Sequence, residues 1–476
     1  MDRQASSAEW RALAEWRWIP TLAILMGGVL LQSTNALLLA TVLPSIADEF
    51  DSAAMLSLPA VAYVGSAIVA ASGSGLLTTR WGARTMLGLG VAIFGAGALI
   101  CSAAASMQWV IAGRIVQGFG GGLEVGAAYG AVRIVFPERL WPRVIALLAT
   151  SWTVSVLVGP LIGGLFANAG HWRGAFILTT VAAVVLAVAA TYILPAARPA
   201  QRADPGQLPA VRIGLIGLAI VVMSSASLVG GVLVKAGLVA AALAILALTL
   251  RLDRRSPTRL LPGDAFSFAS QTGAGLWLAL LLCIAFSPLQ IYVPIFLQKL
   301  HGLDPLQSGF TVAAGSLAWT LAAIGASGAT GAWPARLLLC GPLLMAASLA
   351  ALAWLLPSDA PAFALIPAIA VLGVGIGLCW PFVGPLIMSG ARPGDEAVAA
   401  SAVPTIQQAG FALGAALAGV AANASGFSPT MDAADFGRPA FWVPACFVIA
   451  AGLAWLAGLR LYLRSRTARA QVSVQD

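Results

Sequence analysis

Charge is what this sequence most lacks. Only 9% of its 476 residues are charged, against about 25% in a soluble globular protein. With 60% hydrophobic residues and a mean hydropathy of +0.92, the composition excludes a soluble fold and indicates a chain that crosses a bilayer many times. Histidine is nearly absent. The two present, His171 and His301, fall in predicted outer loops, so the membrane interior has no imidazole to carry protons. The five cysteines (Cys101, Cys283, Cys340, Cys379, Cys446) each sit in an apolar segment without CxxC or metal spacing. They imply no disulfide framework, no metal site and no cofactor. A cleavable signal peptide is missing too: Met1 to Arg17 is polar with mixed charge, and the first apolar run is too long for a signal core. The net charge of +8 would suit nucleic acid. Its basic residues, however, lie in short loops between apolar spans, the positive-inside bias of membrane proteins, so a nucleic-acid partner is set aside.

What the sequence has is long apolar runs. Stretches of about 20 residues can span a bilayer, and they occur at 18–45, 54–78, 85–106, 108–134, 143–168, 173–194, 211–229, 232–250, 270–297, 305–329, 335–356, 361–389, 397–424 and 440–463. The expectation is an all-α polytopic protein of fourteen spans. The pair 211–229 and 232–250 is separated only by Gly230 and Gly231. With both termini cytoplasmic, 21 basic residues fall inside and 4 outside, and Arg114 lies within the membrane. Reading 211–250 as one crossing would put Arg251 to Arg259 outside and reverse every later loop. That region therefore crosses twice or not at all, and its length favours twice. Residues 1–17 form a cytoplasmic lead-in whose Trp10, Trp16 and Trp18 suit the interface, and 466–476 form a cytoplasmic tail.

The two ends of the chain resemble one another. Trp81-Gly-Ala-Arg84 follows the second span and Trp333-Pro-Ala-Arg336 follows the second span of the later half. Gly159 followed by Ala167-Asn-Ala169 recurs as Gly414 followed by Ala422-Asn-Ala424. Two six-span halves, 18–194 and 270–465, are expected as parallel repeats with substrate between them near the midplane. Residues 195–269 are then an insert holding the extra pair of spans.

One span is unlike the others. Gly113 to Glu124 reads GRIVQGFGGGLE and carries Arg114, Gln117 and Glu124 inside an apolar segment. A charge near the middle of a membrane helix costs about 2.5–3.5 kcal/mol even on lenient scales, so it marks a functional candidate. Arg114, Gln117, Gly121, Glu124 and Ala128 share an arc of roughly 80°. Arg114 and Glu124 lie about 15 Å apart along the axis, too far to neutralise one another, so each needs its own partner. A carboxyl kept from water can trade a proton for a cationic or polar substrate, which makes Glu124 the coupling candidate. The structural alternative is a permanently protonated glutamate bonded to Ser151, Thr153 or Ser155. For Arg114 the alternatives are pairing with substrate or steering proton release, or satisfaction by helix carbonyls. GFGGG has neither the strand before nor the Lys-Ser/Thr after that a phosphate loop requires, so its glycines read as packing surfaces.

Four places carry a resemblance. Gly75-Leu-Leu-Thr-Thr-Arg80-Trp-Gly82-Ala-Arg84 looks like a loop signature between spans 2 and 3, and Arg114-Ile-Val-Gln117-Gly118 like an arginine motif of span 4. Gly159-Pro160-Leu-Ile-Gly163-Gly164 is similar to the Gly-Pro antiporter motif, and His171-Trp172-Arg173-Gly-Ala-Phe176 to the start of span 6. Tyr292-Val-Pro294-Ile-Phe-Leu-Gln298 with Pro305-Leu-Gln-Ser-Gly309 adds a fifth, weaker likeness. In these the chain resembles the major facilitator superfamily, specifically its fourteen-span drug:proton antiporter branch. The resemblance implies two six-helix bundles rocking about a central site, a small-molecule substrate, a proton as coupling ion and a monomer in the bacterial inner membrane. It also implies export of a hydrophobic, aromatic or cationic compound. It assigns gating to Gly75, Arg80, Gly82 and Arg84, and bending to Gly159 and Pro160, whose alternative is static packing.

Two departures stand out. Thr79 occupies the place of the loop aspartate, which weakens the expected charge latch. Asn35 stands nine residues before Pro44, where the branch has an acid in span 1. Depth arithmetic puts Arg114 about 9 Å and Asn35 about 13 Å inside the outer ends of their spans, so the two should be close, with Gln32 a turn below Asn35. In the second half no span carries an acid. Gln290, Tyr292, Trp380, Gln407 and Gln408 are the cavity candidates there, suited to an amphipathic or aromatic solute. Trp380 could equally be an ordinary packed ring, and Tyr292 a belt residue. Uptake or exchange of a metabolite is the nearest alternative. The chain has neither the clustered histidines of a membrane enzyme nor the acidic rings of a channel.

Overall fold

The computed structural model describes residues 10–13, 15–52, 55, 58–194, 209–225, 231–256, 259–303, 305–427 and 433–472. The polar linker 195–208, Gly230 and the last four residues of the tail lie outside them. Every long element is a helix. The first set is α1 (Ile19–Glu49), α2 (Leu58–Trp81), α3 (Ala83–Ser102), α4 (Met107–Val135), α5 (Trp141–Asn168) and α6 (Trp172–Ile193). The central pair is α7 (Ala210–Ser225) and α8 (Val232–Arg254). The second set is α9 (Gln271–Ile291), α10 (Val293–Leu300), α11 (Pro305–Ala326), α12 (Trp333–Leu355), α13 (Leu365–Ser389), α14 (Glu396–Ala424) and α15 (Gly437–Val472).

Among the described residues, twelve helical stretches are long and apolar enough to cross a membrane. Two expected spans fall outside that set. In α4 the polar stripe and seven glycines dilute the hydropathy, and α7 has only 16 residues. The expected single span 270–297 is broken at Tyr292, where α9 gives way to α10. Pro294 supplies the reason: it has no N–H, and its ring collides with the carbonyl four residues back.

The packing repeats. In the first set α1 lies on α5, α4 on both α2 and α3, and α3 on α6; in the second, α9 lies on α14, α13 on both α11 and α12, and α12 on α15. Glycine makes the closest crossings possible, because without a Cβ two backbones can touch. A Cβ on Gly113 would stand 2.9 Å from the Gly97 carbonyl, and one on Gly375 would stand 2.6 Å from that of Gly341. The glycines picked out by the sequence repeat do the same work in both sets. Gly159 lets α5 approach Thr34 and Leu37 of α1, and Gly414 lets α14 approach Ile284 and Ser287 of α9.

The sets meet through α2 and α4 against α14, and through α5 against α11 and α13. The pair α7–α8 lies across this seam, α7 on α2 and α8 on α14. Behind the pair is an apolar cavity of about 370 Å³ bordered by Met223, Leu246, Trp277 and Thr405. Arg212 of α7 and Asp253 of α8 form a buried ion pair at 2.5 Å. The same carboxylate accepts the backbone N–H groups of Leu260 and Leu261 at 2.9 to 3.1 Å, which fastens the connection to the second set.

Candidate functional site

The polar stripe of α4 folds into the core of the first set. Close packing brings it there: a Cβ on Gly118 or Gly122 would stand 2.1 Å from a carbonyl of α2, and one on Gly120 would stand 2.3 Å from the Phe94 nitrogen of α3. Alanine at these positions would push α4 away, and its polar side chains would lose their neighbours.

Arg114 is 1% exposed and donates from Nη1 to Asn35 Oδ1 of α1 and, at 2.9 Å, to Gln117 Oε1 on the next turn. Its guanidinium also lies 4.1 Å from the centroid of the Tyr63 ring of α2. Away from water, such a cation–π contact contributes about 2 kcal/mol. Sequence reasoning omitted Tyr63. The signal was present, since the chain has five tyrosines and this one falls inside an apolar span. Gln32 lies against the same point: a Cβ on Gly121 would meet Tyr63 Oη at 3.2 Å and Gln32 Cγ at 3.3 Å.

Glu124 is 1% exposed and faces Gly28 of α1. Among the described residues its Oε1 has no hydrogen-bond partner. The serine and threonine partners considered for it on α5 are engaged elsewhere. Ser151 donates to the Met26 carbonyl at 3.1 Å, Ser155 bonds Ser33 and Thr34 of α1, and Thr153 reaches Ser316 and Thr320 of α11. Asn35 Nδ2, Arg114 Nε and Gln117 Nε2 are likewise buried and unmatched among the described residues. Each such group costs about 1–3 kcal/mol; three of them gather around Arg114 and the fourth, Glu124 Oε1, lies about 15 Å along the same helix, which makes this stripe the candidate site.

The second-set candidates divide. Trp380 of α13 is 2% exposed, packs edge-on to Trp319 of α11, and faces the Tyr129 hydroxyl of α4. Gln407 and Gln408 lie on α14, which packs on α4, the first buried and the second half-buried. Gln290 is exposed, and Tyr292 packs tilted against Phe296 and edge-on to Phe427 beside the α9–α10 break, so neither joins the stripe.

One group of contacts between the sets lies at one end. A Cβ on Gly75 would stand 2.3 Å from Ser401 Oγ and 2.8 Å from the Ala397 carbonyl. Arg133 of α4 pairs with Glu396 of α14 at 3.9 Å. Thr79, in the place of the loop aspartate, only bonds back to the Gly75 carbonyl at 3.0 Å. Gly82, between α2 and α3, has φ +81°, a conformation that favours glycine. Arg80 is exposed, Arg84 is half-buried, and neither joins an ion pair among the described residues. Gly159 packs on α1 as stated; the side chain of Pro160 lies outside what is described.

At the far end, Glu49 closes α1. Arg173 gives it two bonds at 2.8 and 2.9 Å, Trp172 donates one at 2.7 Å, and Arg173 also reaches the Ala104 carbonyl at 2.8 Å. These donors hold the Glu49 carboxyl below the usual carboxylate range.

Residues 25–415 match the sequence profile of the Major Facilitator Superfamily. The chain belongs to that family. Two relatives agree with the assignment. A probable multidrug-efflux transporter of Mycobacterium tuberculosis strain H37Rv is 33% identical over 440 residues, covering 89% of this chain and 91% of the relative. The methylenomycin A resistance protein of Streptomyces coelicolor is 26% identical over 389 residues, covering 81% and 79%. Among solved structures, the human organic anion transporter MFSD10 superposes with a TM-score of 0.68 at 14% identity, over 93% of this chain and 99% of that one, which shows the shared fold. As a member of the superfamily, the protein is a multi-pass membrane transporter of small molecules and not an enzyme.

Proposed function

We propose that this transporter exports a hydrophobic, aromatic or cationic small molecule in exchange for protons, by alternating access between its two helix sets. It works as a monomer in the bacterial inner membrane. All fourteen helical segments cross the bilayer, α9 and α10 together making one, and both termini are cytoplasmic. The observation that carries this reading is Glu124: a carboxyl buried in the first set, with Oε1 unmatched among the described residues, in a chain 33% identical to a probable multidrug-efflux transporter. A group of that kind changes charge when access to water changes. A ligand drives a conformational switch only by favouring one state, and protonation of Glu124 supplies the difference. The sets touch at the end carrying Gly75, Arg133 and Glu396, which on this topology is the cytoplasmic end, so the state seen is closed toward the cytoplasm.

Proteoliposomes with an imposed pH gradient and ethidium as cargo test the reading. The wild type should move ethidium against its gradient, and Glu124→Gln should keep counterflow while losing the pH-driven component. Equal pH-driven flux in both would remove Glu124 from the coupling. One observation favours a second reading. Asn35, in the place of the branch's span 1 acid, carries no exchangeable charge, which suits facilitated exchange or uptake of a metabolite. Wild-type flux indifferent to pH would select it.

A further inference from the structure

We infer that Tyr63 of α2 is a positioning residue: it keeps the Arg114 guanidinium on Asn35 and away from Glu124, so that no internal ion pair consumes the carboxyl. Arg114 and Glu124 share one helix and can carry opposite charges in surroundings that screen them poorly, so each attracts the other. Among the described residues they form no ion pair. The two lie against different turns of α1. Arg114 bonds Asn35, whereas the Glu124 carboxyl faces Gly28. Seven residues of helix separate those positions, about 10 Å. Both side chains are long, and rotamer changes in the two could close most of that gap.

Tyr63 stands in the way. Its ring centroid lies 4.1 Å from the guanidinium, and its hydroxyl end reaches Gly121, about one turn before Glu124. There a Cβ would meet Tyr63 Oη at 3.2 Å and Gln32 Cγ at 3.3 Å. The side chain therefore spans the stretch between the two charges, and both act on its hydroxyl. Close packing fixes its backbone, since a Cβ on Gly118 would stand 2.1 Å from the Tyr63 carbonyl. The ring contact, together with the Asn35 and Gln117 bonds, outweighs attraction to a carboxylate more than twice as far off. Other charged or titratable groups facing this stretch are few. On α3 it is Cys101, whose thiol donates to Gln117 Oε1 at 3.8 Å. On α1 there are only the amides Gln32 and Asn35, and α14 brings its one acid, Glu396, to Arg133 near the end of α4.

Nuclear magnetic resonance of the full-length protein in lipid nanodiscs, with isotopically labelled arginine and at high pH so that the carboxyl is ionised, tests the placement. The side-chain resonance lost in Arg114→Gln reports on Arg114, and an aromatic face this near displaces it. Tyr63→Leu should move that resonance by more than its linewidth, and Tyr63→Phe, which keeps the ring, should leave it in place. Tyr63→Met, closer in volume, is the second ringless variant. Adding Glu124→Gln should leave the resonance within its linewidth in the wild type and move it in Tyr63→Leu, where the freed guanidinium has turned to the carboxyl. A resonance that neither ringless variant moves would overturn the ring contact. An equal response to Glu124→Gln with and without the ring would overturn the separation. In proteoliposomes, pH-driven flux should fall about tenfold in Tyr63→Leu and stay at the wild-type level in Tyr63→Phe, with counterflow retained in both. Counterflow that falls equally would make Tyr63 structural only and overturn the role. What the separation serves rests on the exchange reading. The resonances need no transport, so wild-type flux indifferent to pH would refute the exchange alone and leave the positioning to be decided by them.

Discussion

Glu124 fits into the first helix set because residue 28 is glycine. A Cβ at Gly28 of α1 would stand 1.8 Å from Glu124 Oε1 and 2.8 Å from Cδ. Both atoms belong to the far end of a flexible side chain, so an added methyl displaces the carboxyl rather than the helices. Gly28→Ala should therefore leave folding nearly intact and lower pH-driven flux about tenfold, equivalent to about 1.4 kcal/mol. Thermal unfolding and flux in the same proteoliposomes check this. A Tm that falls together with the flux would mean that Gly28 serves packing alone.

Arg133 and Glu396 join the sets at the end where Gly75 also packs, with both side chains about one-third exposed. Exposed pairs contribute about 0.2–1 kcal/mol. Glu396→Gln should thus shift the closed-to-open ratio by roughly 1.4- to 5-fold, with the effect shrinking at high salt. The rate at which Ser401→Cys reacts with a water-soluble thiol reagent measures this opening. An unchanged rate at low salt would show that the pair does not hold the end closed.

Gly75 and Gly164 form a matched comparison. A Cβ on Gly75 meets the Ala397 backbone at 2.8 Å, whereas one on Gly164 meets nothing within 4 Å. Gly75→Ala should cost about 1–3 kcal/mol through overpacking at the seam. Gly164→Ala should be neutral or raise stability by up to about 1 kcal/mol, because alanine favours helix. Thermal denaturation of the two purified variants decides. Equal effects would mean that the α2–α14 contact yields freely.

Glu49 gives a pH dependence whose sign follows from its partners. Its carboxyl is held below the usual range by the Arg173 and Trp172 donors. Stability from these bonds is then complete above the unfolded carboxylate value of about 4.3 and is lost as pH falls through the lower folded value. The difference in Tm between wild type and Glu49→Gln should be constant from neutral pH to about 5 and shrink below about 4. The side chains are 37% and 41% exposed, so the effect should be small and weakened by salt. A difference that stays constant through the acid range would exclude ionisation of Glu49 as its source.

Much of the helix plan was legible because bilayer crossing imposes long apolar runs, and the sequence spells these out. The closeness of Asn35 and Arg114 was legible too, since depth along a helix is a matter of counting residues. So was the matching of Gly159 with Gly414, because repeats copy their packing residues. Contacts that need two helices at a particular rotation were not. Tyr63 under Arg114, Glu49 with Arg173, and Arg133 with Glu396 depend on how neighbours turn toward one another, which hydropathy does not encode. The α9–α10 break was visible only as Pro288 and Pro294 in an otherwise continuous apolar run.

The central pair bears on how the machine moves. Because α7 lies mainly on α2, with a smaller contact to α14, while α8 lies on α14, the pair bestrides the joint like the two leaves of a hinge. If α2 and α14 part, the leaves must splay or one must peel from its support. Arg212 and Asp253 then act as the hinge pin, and the hollow behind them as the slack that lets the leaves turn. Shortening the pair would stiffen the joint rather than merely strip an ornament from it.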